Sequence, residues 1–374
     1  MRDALAARLA GRPRAPVGIF PTPLQYMGRL SRRLGRPVYF KREDLAGLAI
    51  GGSKIRILRY TAGDALDRGT NLFVAGGYVQ SNHPTQVAAV GCALGIATEL
   101  VLDTTKGWEM EGNMLLSTLM GCKVHYVREG SYEAIRDACR RYAERVNRRG
   151  ERRAHLLTLT PEIHALSALA YAEGFLELAG QLEAADVREA DVFVGSGGPT
   201  YAGLLVGACA SGKRVRVHGA PPHGLGDGAA ERVLSVARAA LRLVDLNISI
   251  AAADVSLLGR GAGVYGYAYG PSVRAIWDVA QAEGVFLDPV YTGNGMAEML
   301  RWTDAHRGET PVVFLHTGGV TALFAYEREL IAGKRVGRAP GRRVSRLGIL
   351  NGARRQARRQ IRPRRSPAGA SAGT

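Results

Sequence analysis

Short apolar runs, each closed by glycine or a polar cluster, alternate along this chain with stretches whose apolar positions recur at helical spacing. VYFKRED (38–44) reads as a strand, RILRYTAGDALDR (56–68) as an amphipathic helix, and NLFVAGG (71–77) as a buried strand ending at paired glycines. After YVQSNH, the segment PTQVAAVGCALG is helical, with Pro84 suited to a first turn. ATELVLD, EGNMLLSTLMG, CKVHYV and SYEAIRDACRRYAERVNRRG then read strand, helix, strand, helix. HLLTL, a helix through ALAYAEGFLELAGQL, the strand–glycine loop–helix of DVFVGSGGPTYAGLLVGACASG, and RVRVHGA extend the pattern. GVFLDPVY and PVVFLHTGG read as two later strands. This alternation predicts parallel βαβ units in an α/β fold. In open α/β sheets ligands bind beyond the carboxyl ends of the strands, and the loops GGYVQSNH, VGSGGPT and LHTGG all hold that position. One shared site is expected.

Charge changes the picture only at one end. Of the 50 Lys and Arg residues, 13 fall in 332–374, a segment without Asp or Glu, which leaves 37 basic against 33 acidic residues elsewhere. The net charge of +17 therefore belongs mainly to a tail rich in Arg, Gly, Ala and Pro, expected to be disordered. A weak contact with nucleic acid or another anionic partner is the most such a tail offers. No apolar stretch has the length of a membrane helix, and MRDALAARLAGRPRAP lacks the apolar core of a secretory signal. Cys92, Cys122, Cys139 and Cys209 form no CxxC pair, and the histidines have no metal-ligand spacing, so a cytoplasmic protein without a metal site is expected.

Three features carry chemistry. The loop Gly195, Ser196, Gly197, Gly198, Pro199, Thr200 stands between a strand and a helix, where backbone N–H groups converge on a phosphate. It lacks the GK[ST] of a nucleotide loop and the GxGxxG of a dinucleotide fold, so a small phosphate ester is the better guest. Ser81, Asn82 and His83 sit at a second helix start, suited to a substrate carboxylate; taken alone, a plain cap by Ser81 or Asn82 explains them better. Glu111–Asn113 opens another helix and could cap it, or the segment could close over a substrate. Lys54 follows the glycine pair in GGSKIRI. A lysine, a phosphate seat and a carboxylate seat together point to pyridoxal 5′-phosphate.

On KREDLAGLAIGGSKIRILRY, AGGYVQSNHPTQVAAVGCALG, VGSGGPTYAGLL, DPVYTGNGMAEML and LHTGGVTALFAY, the chain resembles the D-cysteine desulfhydrase/1-aminocyclopropane-1-carboxylate (ACC) deaminase family, over roughly residues 15–330. The resemblance implies a two-domain, fold-type II, tryptophan synthase β-like enzyme of open, mostly parallel sheets flanked by helices. It places a larger cofactor-binding domain at 1–50 and 157–331, a smaller one at 51–156, and implies a homodimer. Lys54 would carry the cofactor, Asn82 would bond its phenolic oxygen, and Gly195–Thr200 would seat its phosphate. Ser81, Asn82 and His83 would hold the substrate, Tyr291 would lie against both, and Thr317 would face the pyridine nitrogen. A further family tyrosine falls among Tyr265, Tyr267 and Tyr269, with Tyr265 preferred. Either Lys54 or Ser81 with a tyrosine would act as base.

Members that open ACC resemble one another in a glutamate and a leucine where this chain has Thr292 and Thr317. A carboxylate at the pyridine favours its protonated form and a stronger electron sink, which cyclopropane opening requires. Hydroxyls suffice for losing a good β-leaving group, so β-elimination from a small amino acid, above all D-cysteine, is expected. ACC deamination and a β-replacement synthase are the enzymatic alternatives, and an anion- or RNA-binding protein acting through its tail is the non-enzymatic one. The chain departs from the family in Ser53 for asparagine, Ile57 and Asn294 for lysines, and one extra residue in each of two loops.

Overall fold

In the computed structural model, which describes every residue except 108, 159, 223–225, 260–265, 267 and 337–374, the described residues form ten strands. They are β1 (Leu24–Tyr26), β2 (Val38–Lys41), β3 (Leu72–Tyr78), β4 (Ala97–Asp103), β5 (Lys123–Val127), β6 (Ala154–Leu156), β7 (Glu189–Val194), β8 (Arg214–Gly219), β9 (Ser256–Leu257) and β10 (Val312–Leu315). Of these, β1 and β9 correspond to no run read from the sequence. Six form a sheet in the order β1-β2-β10-β7-β8-β9, and four form a second in the order β5-β4-β3-β6. Every pairing is parallel except β1 with β2.

The central strands are apolar without interruption because helices cover both their faces. Val192, Val194, Val313 and Leu315 pack with the helices Pro161–Ala184, Pro199–Ser211 and Ala229–Leu243. Phe193, Val312 and Phe314 face the opposite way, toward Gly270–Glu283 and Thr292–Ala305. Around the smaller sheet, Phe73, Ala75, Leu100 and Leu102 pack with the helices Ser53–Asp67 and Asn82–Leu94.

One expected strand is absent: GVFLDPVY does not pair with a sheet. Its Asp288 carboxylate instead accepts the N–H groups of Val290 (2.9 Å), Tyr291 (2.8 Å) and Thr292 (2.8 Å), which turns the chain into the helix Thr292–Ala305. Pro289 also lacks the N–H that a ladder needs. The last described helix, Glu327–Val336, runs into the segment read as a tail, and 337–374 lie outside the described residues.

Candidate active site

Sheet order brings the three polar loops together. In the smaller sheet β4 and β5 extend to one side of β3 while β6 returns to the other, so the QSNH loop leaves the point where the order reverses. In the larger sheet β10 inserts between β2 and β7, with β8 and β9 continuing beyond β7. There Lys41 pairs with Leu315 and Leu315 with Val194, so β2, β10 and β7 end side by side. Such switch points are where open α/β sheets leave room for a ligand. The flanking strands are buried, yet Lys54, Ser81, Asn82, His83, Ser196, Gly197, Gly198, Tyr291 and Thr317 are all partly exposed.

Lys54 stands at the start of Ser53–Asp67, clamped from two sides. The Thr317 carbonyl accepts the Ser53 N–H (2.9 Å), and the Glu43 carbonyl accepts that of Gly52 (3.0 Å). Gly318 and Gly52 touch backbone to backbone: a Cβ on Gly318 would lie 2.6 Å from the Gly52 Cα. Any side chain there would push the lysine loop off the β10 loop. The Gln86 side chain donates to the Gly51 carbonyl (2.6 Å) and fixes the third side. Burial, opposed in part by the Asp288 charge, lowers the Lys54 amine to about 8. His83 is lowered by burial to about 4, against its bond to the Leu157 carbonyl and with the help of Lys54, so it stays neutral at physiological pH.

Beneath Lys54 lies a buried ionic cluster that accounts for KRED and KIR as motifs. Arg56 is fully buried, forms two bonds of 2.7 Å with Glu43, and reaches Glu177 at 3.0 and 3.1 Å. Lys41, also fully buried, donates to Glu177, to the Thr22 carbonyl (2.6 Å) and to Gln181 (2.8 Å). The Tyr171 hydroxyl completes the cluster, its one hydrogen shared between Glu43 (3.1 Å) and the Ser53 carbonyl (3.3 Å). Burial alone would raise the Glu43 carboxyl, but Arg56, Lys41 and Thr22 hold it below the ordinary range. Every charge has opposite partners, so the helix that starts at Ser53 is pinned in one orientation.

Side-chain caps are rare at the described helix starts of this molecule, and the site has none. The helices Tyr132–Arg149 and Pro161–Ala184 are capped by the Ser131 and Thr160 side chains, in contrast to Ser53–Asp67, Asn82–Leu94 and Pro199–Ser211, which have no side-chain cap. Ser81 holds the cap position of its helix, but its hydroxyl caps nothing. The starts of Asn82–Leu94 and Pro199–Ser211 thus leave first-turn N–H groups for an anion, whereas that of Ser53–Asp67 is taken up by the Thr317 carbonyl. Gly198 has open space before it, while a Cβ on Gly197 would meet Pro221 at 2.9 Å, so the loop is backed by protein on one side and clear on the other. An amine at Lys54 and a clear, uncapped glycine loop fit pyridoxal 5′-phosphate.

Thr292 lies elsewhere than a cofactor contact would require. It is fully buried, its hydroxyl donating to Asp288 (2.6 Å) and accepting the Asp288 N–H (2.7 Å). Tyr291 holds the cap position of the same helix without a side-chain capping bond, and Gly195 packs directly against its carbonyl. Burial raises the Asp288 carboxyl, against the Thr292 hydroxyl and the three backbone N–H groups. His316 is a fully buried support: its Nδ1 accepts the Gly318 N–H (3.2 Å) and its Nε2 donates to the Phe286 carbonyl (2.8 Å). Thr200 is buried in the first turn of its helix. Tyr269 holds the cap position of Gly270–Glu283, and Tyr265 and Tyr267 lie outside the described residues. Glu111 caps no helix through its side chain; the Gln80 side chain accepts the Asn113 N–H instead (3.0 Å). Sequence reading passed over Asp288 and Gln86, although an Asp shortly before a helix is itself a start signal.

The sequence profile of a family described as pyridoxal-phosphate dependent enzyme matches residues 16–318. The chain is 35% identical to a D-cysteine desulfhydrase of Klebsiella pneumoniae, over 83% of this chain and 95% of that one. It is 38% identical to a 1-aminocyclopropane-1-carboxylate deaminase of Burkholderia vietnamiensis, over 84% and 96%. A crystal structure of an ACC deaminase homologue superposes with a TM-score of 0.81 at 30% identity, covering 89% of this chain and all of the other. Among the described residues no helix is long and apolar enough to cross a membrane.

Proposed function

Because the chain belongs to the pyridoxal-phosphate-dependent enzyme family, in its fold-type II branch, and is similar to both deaminases and desulfhydrases, we propose that it is a lyase converting D-cysteine and water to pyruvate, sulfide and ammonia. The observation that carries this choice is that positions 292 and 317 hold threonines and neither supplies a carboxylate. Thr292 spends its hydroxyl inside the protein on Asp288, and the Asp288 carboxylate is in turn occupied by four hydrogen bonds. That arrangement suits a pyridine nitrogen without a dedicated carboxylate. It serves a substrate whose thiolate leaves readily better than one whose carbon ring must be opened. ACC deamination is the second reading, since relatives with that name are as similar to this chain.

Bound at Lys54, the cofactor supplies a carbonyl for the amino group and a ring that withdraws electrons from Cα. The protein does the rest. The uncapped start of Pro199–Ser211 holds the phosphate, and that of Asn82–Leu94, with Ser81, holds the substrate carboxylate. Lys54, once released by the incoming amino group, takes the α-proton, and Tyr291 covers the reacting face. The lowered Lys54 amine favours this role, because a lysine near its ordinary value of about 10.4 is almost wholly protonated at neutral pH.

Purified enzyme given D-cysteine, L-cysteine and ACC decides between the readings. Sulfide and pyruvate in equal amounts from D-cysteine alone are expected. 2-Oxobutyrate from ACC at a greater kcat/KM would overturn the threonine argument. The lysine makes a separate prediction: only the neutral amine attaches cofactor, so its capture by apoprotein should quicken as pH rises and level off above about 8. Stopped-flow absorbance across pH 6 to 10 measures this, and a midpoint at the ordinary lysine value would show that burial does not tune the amine.

A further inference from the structure

We infer that Asn113 dictates which end of the Asn82 side-chain amide faces the site, making it a positioning residue; this rests on the reading that Asn82 contacts the bound cofactor. The two ends of an amide have the same shape, so only their partners tell nitrogen from oxygen. The chain of partners here starts at a backbone carbonyl, which can only accept. The Gln80 carbonyl lies 3.0 Å from the Asn113 side chain, so the atom facing it is the NH2. The second hydrogen of that NH2 points at Asn82 over 2.8 Å, so the atom facing it is the Asn82 oxygen.

Thr321 reinforces the order, its hydroxyl donating to the Asn113 oxygen (2.9 Å) and lying 3.4 Å from that of Asn82. Gln80 is itself fixed by a second carbonyl, donating to Glu111 (2.9 Å) while its oxygen accepts the Asn113 N–H (3.0 Å). Asn113 is 2% exposed and has no donor left to offer. The Asn82 oxygen is therefore held on the protein side, and its NH2 is left as a donor with no hydrogen bond among the described residues. A donor is what an anionic phenolic oxygen requires, and a reversed amide would present a lone pair to it. Asn113 follows β4 and Thr321 follows β10, so the frame ties both sheets to the orientation of one amide.

Asn113→Asp keeps the shape and removes the donor. Its carboxylate meets the Asn82 oxygen, and the Asn82 amide reverses to donate to it. The experiment compares wild type, Asn82→Ala, Asn113→Asp and the double variant by the pH titration of bound-cofactor absorbance and by cofactor dissociation constant. Asn82→Ala and Asn113→Asp should shift the titration in the same direction, and each should weaken cofactor binding roughly ten-fold. In the Asn82→Ala background Asn113→Asp should add less than about two-fold, because its effect passes through Asn82. Effects that multiply would overturn the inference and leave Asn113 as packing. If Asn82→Ala alone moves neither quantity, Asn82 does not face the cofactor, and that reading falls together with the inference. Should Asn113→Asp fail to fold, Thr321→Val gives the same comparison: a smaller shift that vanishes in the Asn82→Ala background supports positioning, and lost thermal stability with no shift refutes it.

Discussion

Lys54→Ala should abolish turnover, lowering keto-acid formation by at least about 10³-fold, and should leave the cofactor removable by gel filtration. Two losses combine: the amine no longer attaches the cofactor, and no group remains at that place to take the α-proton. Lys54→Arg should fail as completely, since a guanidinium stays charged and is neither nucleophile nor base. A small primary amine added to Lys54→Ala should restore part of the rate, as it can enter the gap and accept the proton. The assay is product formation alongside the visible absorbance of the protein after gel filtration. Activity within ten-fold of wild type in Lys54→Ala would take the lysine out of the chemistry and leave it as a buried charge.

The second large effect falls on folding. Arg56→Leu removes one partner from a cluster in which Glu43 is almost wholly out of solvent. Glu43 would be left with the hydroxyls of Thr22 and Tyr171 and the charge of Lys41, and a buried charge that loses its partner typically costs about 3–5 kcal/mol. Chemical denaturation should show that loss as a lowered midpoint with little change in slope. Adding Glu43→Leu should recover part of it, because Glu177 still keeps Lys41 and no carboxylate is then stranded. A single variant as stable as wild type would mean that water enters the cluster. Cofactor affinity should fall alongside stability, since the Tyr171 hydroxyl bonds both Glu43 and the carbonyl beside Lys54.

Much of this was legible in the sequence, and particular residues show why. β3 and β10 could be read because strands covered on both faces are continuously apolar, as LFVAGGY and VVFL are. Ser81, Thr317 and the Gly195–Thr200 loop could be placed at strand ends because glycines and polar residues interrupt those runs. GVFLDPVY deceived the same logic: its apolar content matches a strand, but Asp288 finds its partners three and four residues ahead and the backbone follows the carboxylate. Thr292 illustrates a second limit. A motif position can be aligned, but whether its hydroxyl meets a ligand or a neighbouring carboxylate depends on side-chain direction, which spacing does not encode. Arg56, Glu43 and Glu177 come from three distant segments, and nothing in the pattern of any one of them announces the other two.

The bare helix starts around Lys54 have a consequence for anyone wishing to engineer this chain. Installing a cap is among the most dependable ways to stabilise a helix, typically by about 0.5–2 kcal/mol. Positions 81 and 198 look like two such opportunities. An aspartate at either of them would bring its own carboxylate to the N–H groups the site keeps free, and would act as a tethered competitor at high local concentration. A selection for heat resistance alone would be drawn to these substitutions and would return sturdy, inactive proteins. A useful stabilisation campaign begins by placing these two positions off limits.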